Sequence, residues 1–542
     1  MMDTEMYYNI ATTAARLVGD PTTYEEAMSD VHADAWRISH ETERRTLEKN
    51  NTWKIIKRKN IPIGTQILRC KPVYRTKPAP PGVEPKRKTR FVAMGCAQSY
   101  VPGGTYAPVT NVKALRTVMA HIAVHDWELH QMDVESAFVQ AELDTPIYMF
   151  PPPGMPTTDD DGDEVVLLLL KSLYGLKQAG RLWFEKLDRH LREVHGLIPS
   201  RSTPCVYFKH DAQGAVILIV LVYVDDLLIA GETLNLVRDF KTTISTHFAM
   251  TDAGDAHWCL GMEITRDRPN NILRINQQTY TESMLKRFNM LDCKPRSTPL
   301  DPNCDLSKTD PMDKPADKAL YQQIVGALLY LATCTRPDIA AAVGQLGRAS
   351  VNPTNRHLEA AKSVLHFLRK TTADGLTYNG RHTGVDEVIG YVDASFADDK
   401  STRHSTTGWC FFYAEAVISW SSKLQSLVTH SSMEAEYVAC DAAAREAAYL
   451  HNLFEEIRGH RISTIVLNED NQSTIKFANG APITERTKHI ELALHYVRQC
   501  VIEGKICVVY KPTSEMIADV LTKNLAATKH TQFRRLMLGH VV

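Results

Sequence analysis

The chain has 542 residues, 44% hydrophobic and 23% charged, with a formal net charge of −1, the balance of a globular protein long enough for several cores. Its eleven cysteines have no CxxC or Cys/His ligand spacing, which argues against a zinc site and a disulfide framework. No apolar run is long enough to span a membrane and "MMDTEMYYNIATTAARL" lacks a signal-peptide core, so a soluble, intracellular protein without a membrane partner is expected.

In chain order, residues 1–46 read as a polar lead-in with one or two helices. From Lys54 to Arg90 about a dozen Lys and Arg meet a single acid, Glu84, a density that reads as a phosphate-contacting surface or as a solvated face. Short strands broken by Pro and Gly fill 53–92. "TNVKALRTVMAHIAVHD" predicts an amphipathic helix capped near Thr110 or Asn111, followed by the strand "ELHQMDV" and the short helix "ESAFVQAEL". A loop precedes a helix that starts near Gln178. "AVILIVLVYVDDLLIAG" (215–231) predicts a β-hairpin turning on Asp225 and Asp226, two carboxylates set in the greasiest stretch of the chain. From Thr233 to Tyr378 the pattern is mainly helical with a Pro-rich break. A second α/β pattern opens at "VIGYVDASFADD" and closes with the strand "KICVVYKP" and a helix.

Burying carboxylates is costly unless a partner or a metal compensates. Phosphoryl transfer on nucleic acid calls for two divalent ions about 4 Å apart, bridged by hard, anionic oxygens. Asp133 at a strand end, with Asp225 and Asp226 on the hairpin turn, would supply such a site. Alone, Asp133 reads as an N-cap and the aspartate pair as an exposed turn. Taken jointly, the three are far more specific.

"YVDDLLIAG", "QMDVESAFVQAELDTPIYMFPPPGM", "LYGLKQAGRLWF" and "YQQIVGALLYLATCTRPDIAAAV" together resemble the reverse transcriptase of copia-type retrotransposons. "GYVDASFADD", "SMEAEYVA", "EDNQSTIKFANG", "RTKHIELALHYVR" and "IADVLTKNL" resemble the ribonuclease H domain that follows it. The resemblance runs from about Glu48 to the C-terminus. It implies a multidomain α/β and α+β chain, with a right-hand polymerase fold followed by a ribonuclease H-like α/β domain. The expected divisions are 47–290 for fingers, palm and the start of the thumb, and 291–386 for a mainly helical thumb or connection. The ribonuclease H-like unit takes 387–526 and a tail takes 527–542.

The resemblance also assigns roles. Asp133, Asp225 and Asp226 become metal-binding carboxylates. Phe138 matches the aromatic that closes the sugar pocket, although a core aromatic is the plain reading. Tyr223 would pack near the primer end or serve the strand core. Gly175, Lys177 and Gln178 would line the nucleotide and template pocket, and Lys88 and Arg90 would meet the triphosphate. Leu260, Gly261 and Met262 fall in the hairpin that holds the primer. In the second unit Asp393, Glu436, Asp470 and Asp519 would bind metal; Glu434 competes with Glu436, which is preferred because Ala439 lies one turn on. His489 matches a motif without an assigned role.

The implied function is RNA-directed DNA polymerase with ribonuclease H activity. It would use two Mg2+ per site, with Mn2+ as an alternative ion. Partners would be an RNA template, a DNA primer, the RNA–DNA hybrid, dNTPs and other polyprotein products such as integrase. The implied setting is a cytoplasmic virus-like particle and the nucleus. Either a polyprotein product or a reading frame lacking its upstream part is expected. A second reading is an inactive remnant that only binds nucleic acid, which the intact acidic sets oppose.

Overall fold

The computed structural model describes residues 19–76, 84–99, 101–307, 312–381, 387–481 and 491–540. His489 and part of the Pro-rich basic insert lie outside them. The helices Tyr24–Ser29 and Ala33–Lys49 belong to the folded body. The second lies against the strand Arg87–Ala93 and buries Trp36 edge-on to Tyr74 at 5.2 Å. Arg87–Ala93 pairs antiparallel with Cys70–Thr76. It shares a core with a four-stranded sheet ordered Trp53–Lys57, Val165–Lys171, Glu142–Met149, Ile67–Leu68.

The central sheet has six antiparallel strands, ordered Met250–Asp255, Glu128–Val134, Asp226–Gly231, Val216–Tyr223, Val206–His210, Ile198–Pro199. Its hairpin is apolar because both faces are covered. Ile219 and Leu221 point into one core, while Leu218, Val220 and Val222 point into another. Alternation thus serves two interiors, and the sequence reads as an unbroken apolar run. The helix Val112–His125 packs the first face; Ala179–Glu193 and Leu234–Ser245 pack the second. Of the two expected caps Asn111 is the one used, its side chain accepting from Ala114 N at 2.7 Å.

Residues 233–378 are less helical than expected. They carry an antiparallel sheet of Trp258–Cys259, Met262–Asp267, Ile272–Asn276 and Gly375–Asn379 beside a bundle of Lys318–Cys334, Ala340–Arg348 and Asn355–Lys370. These strands are short and charged on their outer positions, and one partner arrives about a hundred residues later. The last sheet is mixed, ordered Ala416–Leu424, Thr406–Tyr413, Ile389–Ser395, Ile465–Glu469, Ile506–Tyr510, under the 27-residue helix Ser432–Arg458. The expected C-terminal tail is instead a helix, Ala527–Met537, with Phe533 and Met537 buried. Its end returns to the earlier sheet, where Leu538 O accepts from Thr377 N at 2.9 Å.

One core runs from Val112–His125 through the sheet of Met262–Asp267, Ile272–Asn276 and Gly375–Asn379 into the last sheet. Buried Arg116 is the joint. It donates to the carbonyls of Ile418 (2.7 Å), Thr333 (2.7 Å) and Cys334 (2.9 Å) and lies 3.7 Å from the Trp420 ring centroid. Burial depresses its pKa to about 10. Lys113 pairs with Glu446 across the same seam at 2.6 Å. Among the described residues, no helix is long and apolar enough to cross a membrane.

Candidate functional site

The strand register sets Asp226 directly opposite Asp133 on one side and Tyr223 on the other. The hairpin therefore turns on Val224 and Asp225, one residue earlier than expected, and Asp226 opens the return strand. Val224 adopts a left-handed backbone, φ 56°, which costs a β-branched residue on the order of 1–3 kcal/mol. Two bonds hold the turn. Val134 N donates to Asp225 O at 2.8 Å, and Trp183 Nε1 donates to Val224 O at 2.6 Å.

The carboxylates are not sealed in the apolar run. Asp133 is exposed, and Asp225 and Asp226 are half-buried. Burial pushes Asp226 up to about 6, helped by the charges of Asp225 and Asp133 and opposed by a 3.2 Å bond from Gln131 Nε2. A divalent cation would relieve this like-charge crowding, and oxygen donors suit Mg2+. As they stand, the ligand oxygens of the three do not all gather within 4.8 Å of one another, unlike those of the second acidic centre described below.

Around this centre stand the other expected residues. Half-buried Phe138 meets Tyr174 edge-on at 5.2 Å, and the Arg90 guanidinium lies 5.1 Å from the same tyrosine's centroid. Lys88 sits on the Arg90 strand, opposite Arg75. Gly175 has φ 89°, and a Cβ there would fall 2.2 Å from Ala93 O. This close approach lets Tyr174 O accept from Ala93 N at 2.8 Å. Lys177 and Gln178 are both tied to Gln98, Lys177 on the exposed side and Gln178 in the interior. Lys177 Nζ donates to Gln98 O at 2.7 Å, and buried Gln178 Oε1 accepts from Gln98 Nε2 at 3.0 Å.

Leu260 and Gly261 form a two-residue turn, both at positive φ, between Cys259 and buried Met262. Tyr330 Oη donates to Leu260 O at 2.5 Å and locks the turn to the helical bundle. Burial, and after it the charge of Asp226, pushes the Cys259 thiol up.

Part of the basic segment is spoken for. Lys57 Nζ contacts Asp159, Asp161 and Asp163 at 3.0, 2.7 and 2.9 Å; Lys59 reaches Asp163 at 2.6 Å and Arg58 reaches Glu164 at 2.7 Å. Those three aspartates gather closely enough for a metal ion, but an ammonium already sits on them. The Lys57–Lys59 charge is thus neutralised locally rather than offered to phosphates.

A second acidic centre lies in the last sheet. Ligand oxygens of Asp393, Glu436 and Asp470 lie within 4.8 Å of one another. Asp393 is on Ile389–Ser395, Glu436 on the long helix, and Asp470 directly after Ile465–Glu469. Burial, then the charges of Glu469, Asp393 and Asp470, holds Glu436 well above the ordinary carboxylate range. Among the described residues its buried Oε2 has no hydrogen-bond partner, an arrangement that fits a cation. Glu434 instead accepts from His430 N at 2.7 Å at the start of the same helix. Asp519 lies in a 3-10 turn, not the expected helix, and is bonded by Lys523 at 2.6 Å and Lys529 at 2.5 Å. Lys523 also reaches Asp393 at 3.2 Å, and Thr522 Oγ1 donates to the other Asp393 oxygen.

Residues 50–302 match the family model described as reverse transcriptase (RNA-dependent DNA polymerase). Over 529 residues the chain is 36% identical to the retrovirus-related Pol polyprotein from transposon TNT 1-94 of Nicotiana tabacum, covering 96% of this chain and 39% of that one. The putative transposon Ty5-1 protein of Saccharomyces cerevisiae is 32% identical over 317 residues, 58% of this chain and the whole of that protein. The chain belongs to the copia-type retrotransposon Pol family. It spans about two fifths of the tobacco relative's length. A solved structure of the foamy viral protease-reverse transcriptase dRH with double-stranded DNA overlaps 88% of this chain and 70% of that one, at 14% identity and TM-score 0.48.

Within this Pol chain the residues that sequence reasoning missed are mostly partners of motif residues. Gln98 and Trp183 act on loops far away in sequence, and no local pattern announces them. Glu469 had a local signal, since it adjoins Asp470. It is fully buried and held high by burial and by neighbouring charges.

Proposed function

We propose that this chain is an RNA-directed DNA polymerase that also cleaves the RNA strand of an RNA–DNA hybrid. The pairing of Asp133 with Asp226, beside Asp225 on the turn, carries the reading. When bound at these carboxylates, two Mg2+ (or Mn2+) ions supply Lewis-acid activation of the primer 3′-hydroxyl and neutralise charge on the leaving pyrophosphate. The chain's own residues do the orienting. Sheet register fixes the three carboxylates relative to one another. Phe138, braced on Tyr174, walls the sugar position, and Lys88 and Arg90 add positive charge for the triphosphate. Gly175, Lys177 and Gln178 shape the loop floor through Gln98. The Leu260–Met262 hairpin backs the primer end, with Tyr223 beside it.

In the second centre Asp393, Glu436 and Asp470 would hold metal, with Asp519 anchoring Lys523 and Lys529 at its edge. RNA template, DNA primer, hybrid and dNTPs are the substrates. Other Pol products such as integrase are the protein partners, in a cytoplasmic particle and later the nucleus.

One substrate tests both halves: a DNA primer on an end-labelled RNA template, with dNTPs and Mg2+. Asp133→Asn loses extension and keeps RNA cleavage, whereas Glu436→Gln loses cleavage and keeps extension. A folded wild-type chain that binds hybrid but does neither would instead be an inactive binding remnant.

A further inference from the structure

Trp183 is almost fully buried on the helix Ala179–Glu193, and its ring meets Phe248 edge-on at 5.4 Å. Its one polar atom does not face its own helix. Nε1–H reaches across to the carbonyl of Val224, the left-handed residue of the aspartate turn, at 2.6 Å. Buried indole N–H groups take a partner, and here the partner is the strained peptide itself. The helix that carries Trp183 is anchored in turn. Arg181, two residues earlier, bonds Asp144 at 2.6 Å and the carbonyls of Gly104 and Pro102. At the helix start Gln178 is tied to Gln98.

A two-residue turn that places a β-branched side chain at positive φ has a cheaper alternative nearby, so something must hold it. The strand beside it reaches the turn at Asp225 O, through Val134 N. The bond to Val224 O comes from Trp183. We propose that Trp183 is a positioning residue for the polymerase centre: its indole N–H clamps the strained Val224 peptide, so that Asp225 and Asp226 stay aimed with Asp133. The clamp rests on the polymerase reading and links the loop of Gly175–Gln178 mechanically to the carboxylates. It acts through the turn, without touching substrate.

The test uses the full chain in single-nucleotide extension, alone and in a double-mutant cycle. Trp183→Phe keeps an aromatic ring on Phe248 and removes the donor. Val224→Gly removes the left-handed penalty, so the turn no longer needs holding. Trp183→Phe should lower kcat about five- to tenfold, the worth of one lost hydrogen bond, and raise the Mg2+ concentration for half-maximal rate. The KM for dNTP should change less than twofold. In the Val224→Gly background the same substitution should cost under about twofold.

An unchanged Mg2+ response in Trp183→Phe overturns the clamp, as does an equal loss in both backgrounds, which marks Trp183 as ordinary core. If Trp183→Phe fails to fold, the isosteric benzothiophene analogue of tryptophan at position 183 carries the same expectations. A wild-type chain that does not extend a primer at all sinks the polymerase reading, and the clamp with it.

Discussion

Asp226 stands directly across the sheet from Asp133, held there by the backbone register of two adjacent antiparallel strands. The apolar hairpin is the frame for this geometry: its two buried faces fix the register, because a slip by one residue would exchange them. The polar end of that frame is where the aspartates emerge, and the cost of crowding them falls on Asp226.

That cost is measurable. Burial and two like charges raise Asp226 to about 6, above the ordinary value near 3.8. A raised folded pKa means stability that is present below about pH 4 and lost as pH climbs through 6. In chelator at pH 8, Asp226→Asn should therefore stabilise the chain by on the order of 1–2 kcal/mol, allowing for partial exposure. The gain should shrink towards zero near pH 4. Added Mg2+ should stabilise wild type and not the variant. Denaturant unfolding at the two pH values, with and without Mg2+, checks all three.

Gly175→Ala should separate the loop of Tyr174 from the strand of Arg90. The new Cβ meets Ala93 O at 2.2 Å, a backbone atom that cannot swing aside, and the φ of 89° disfavours alanine independently. We expect a loss of about 2–4 kcal/mol in unfolding free energy and a higher KM for dNTP. Stability and steady-state extension of the same preparation read both.

Much of this was legible before any coordinates. The hairpin follows from two apolar runs flanking a turn, and the helix before the Asp133 strand from its periodicity, with its cap narrowed to Thr110 or Asn111. What was not legible depends on register or on distant chain. The turn falls on Val224 because Tyr223 pairs with Asp226 and because Trp183 holds the odd peptide. The basic segment holding Lys57 reads as a phosphate-contacting or solvated face because the acidic partners of Lys57 lie about a hundred residues away. The strand Gly375–Asn379 completes a sheet begun at Trp258, and "ATKHTQFRRLM" hides its helix behind a largely charged face.

Arg116→Ala should weaken the whole chain rather than one unit. Three carbonyls would lose a charged donor at the seam where the cores merge. Hydrogen bonds to charged groups are worth about 1.5–3 kcal/mol each to remove, with partial recovery by water, so a net loss on the order of 3 kcal/mol is expected. Unfolding followed by fluorescence and by circular dichroism should shift together.

Glu434→Gln and Glu436→Gln should part company. Glu434 serves the helix start, so its loss should cost about 1 kcal/mol of stability and leave hybrid cleavage within a few-fold of wild type. Glu436 should be required for cleavage. Cleavage of labelled hybrid, beside thermal unfolding, distinguishes them; the opposite pattern would move the centre to Glu434.

The most direct measurement is single-turnover nucleotide addition to a DNA primer on an RNA template in Mg2+, comparing wild type with Asp225→Asn. Template-primer affinity is measured in parallel. Asp225 sits on the turn itself, so the variant should bind template-primer as wild type does and add nucleotide at least a hundredfold more slowly, a loss of about 2.7 kcal/mol of transition-state stabilisation. Addition at the wild-type rate by Asp225→Asn would contradict the assignment of the hairpin carboxylates as the polymerase centre.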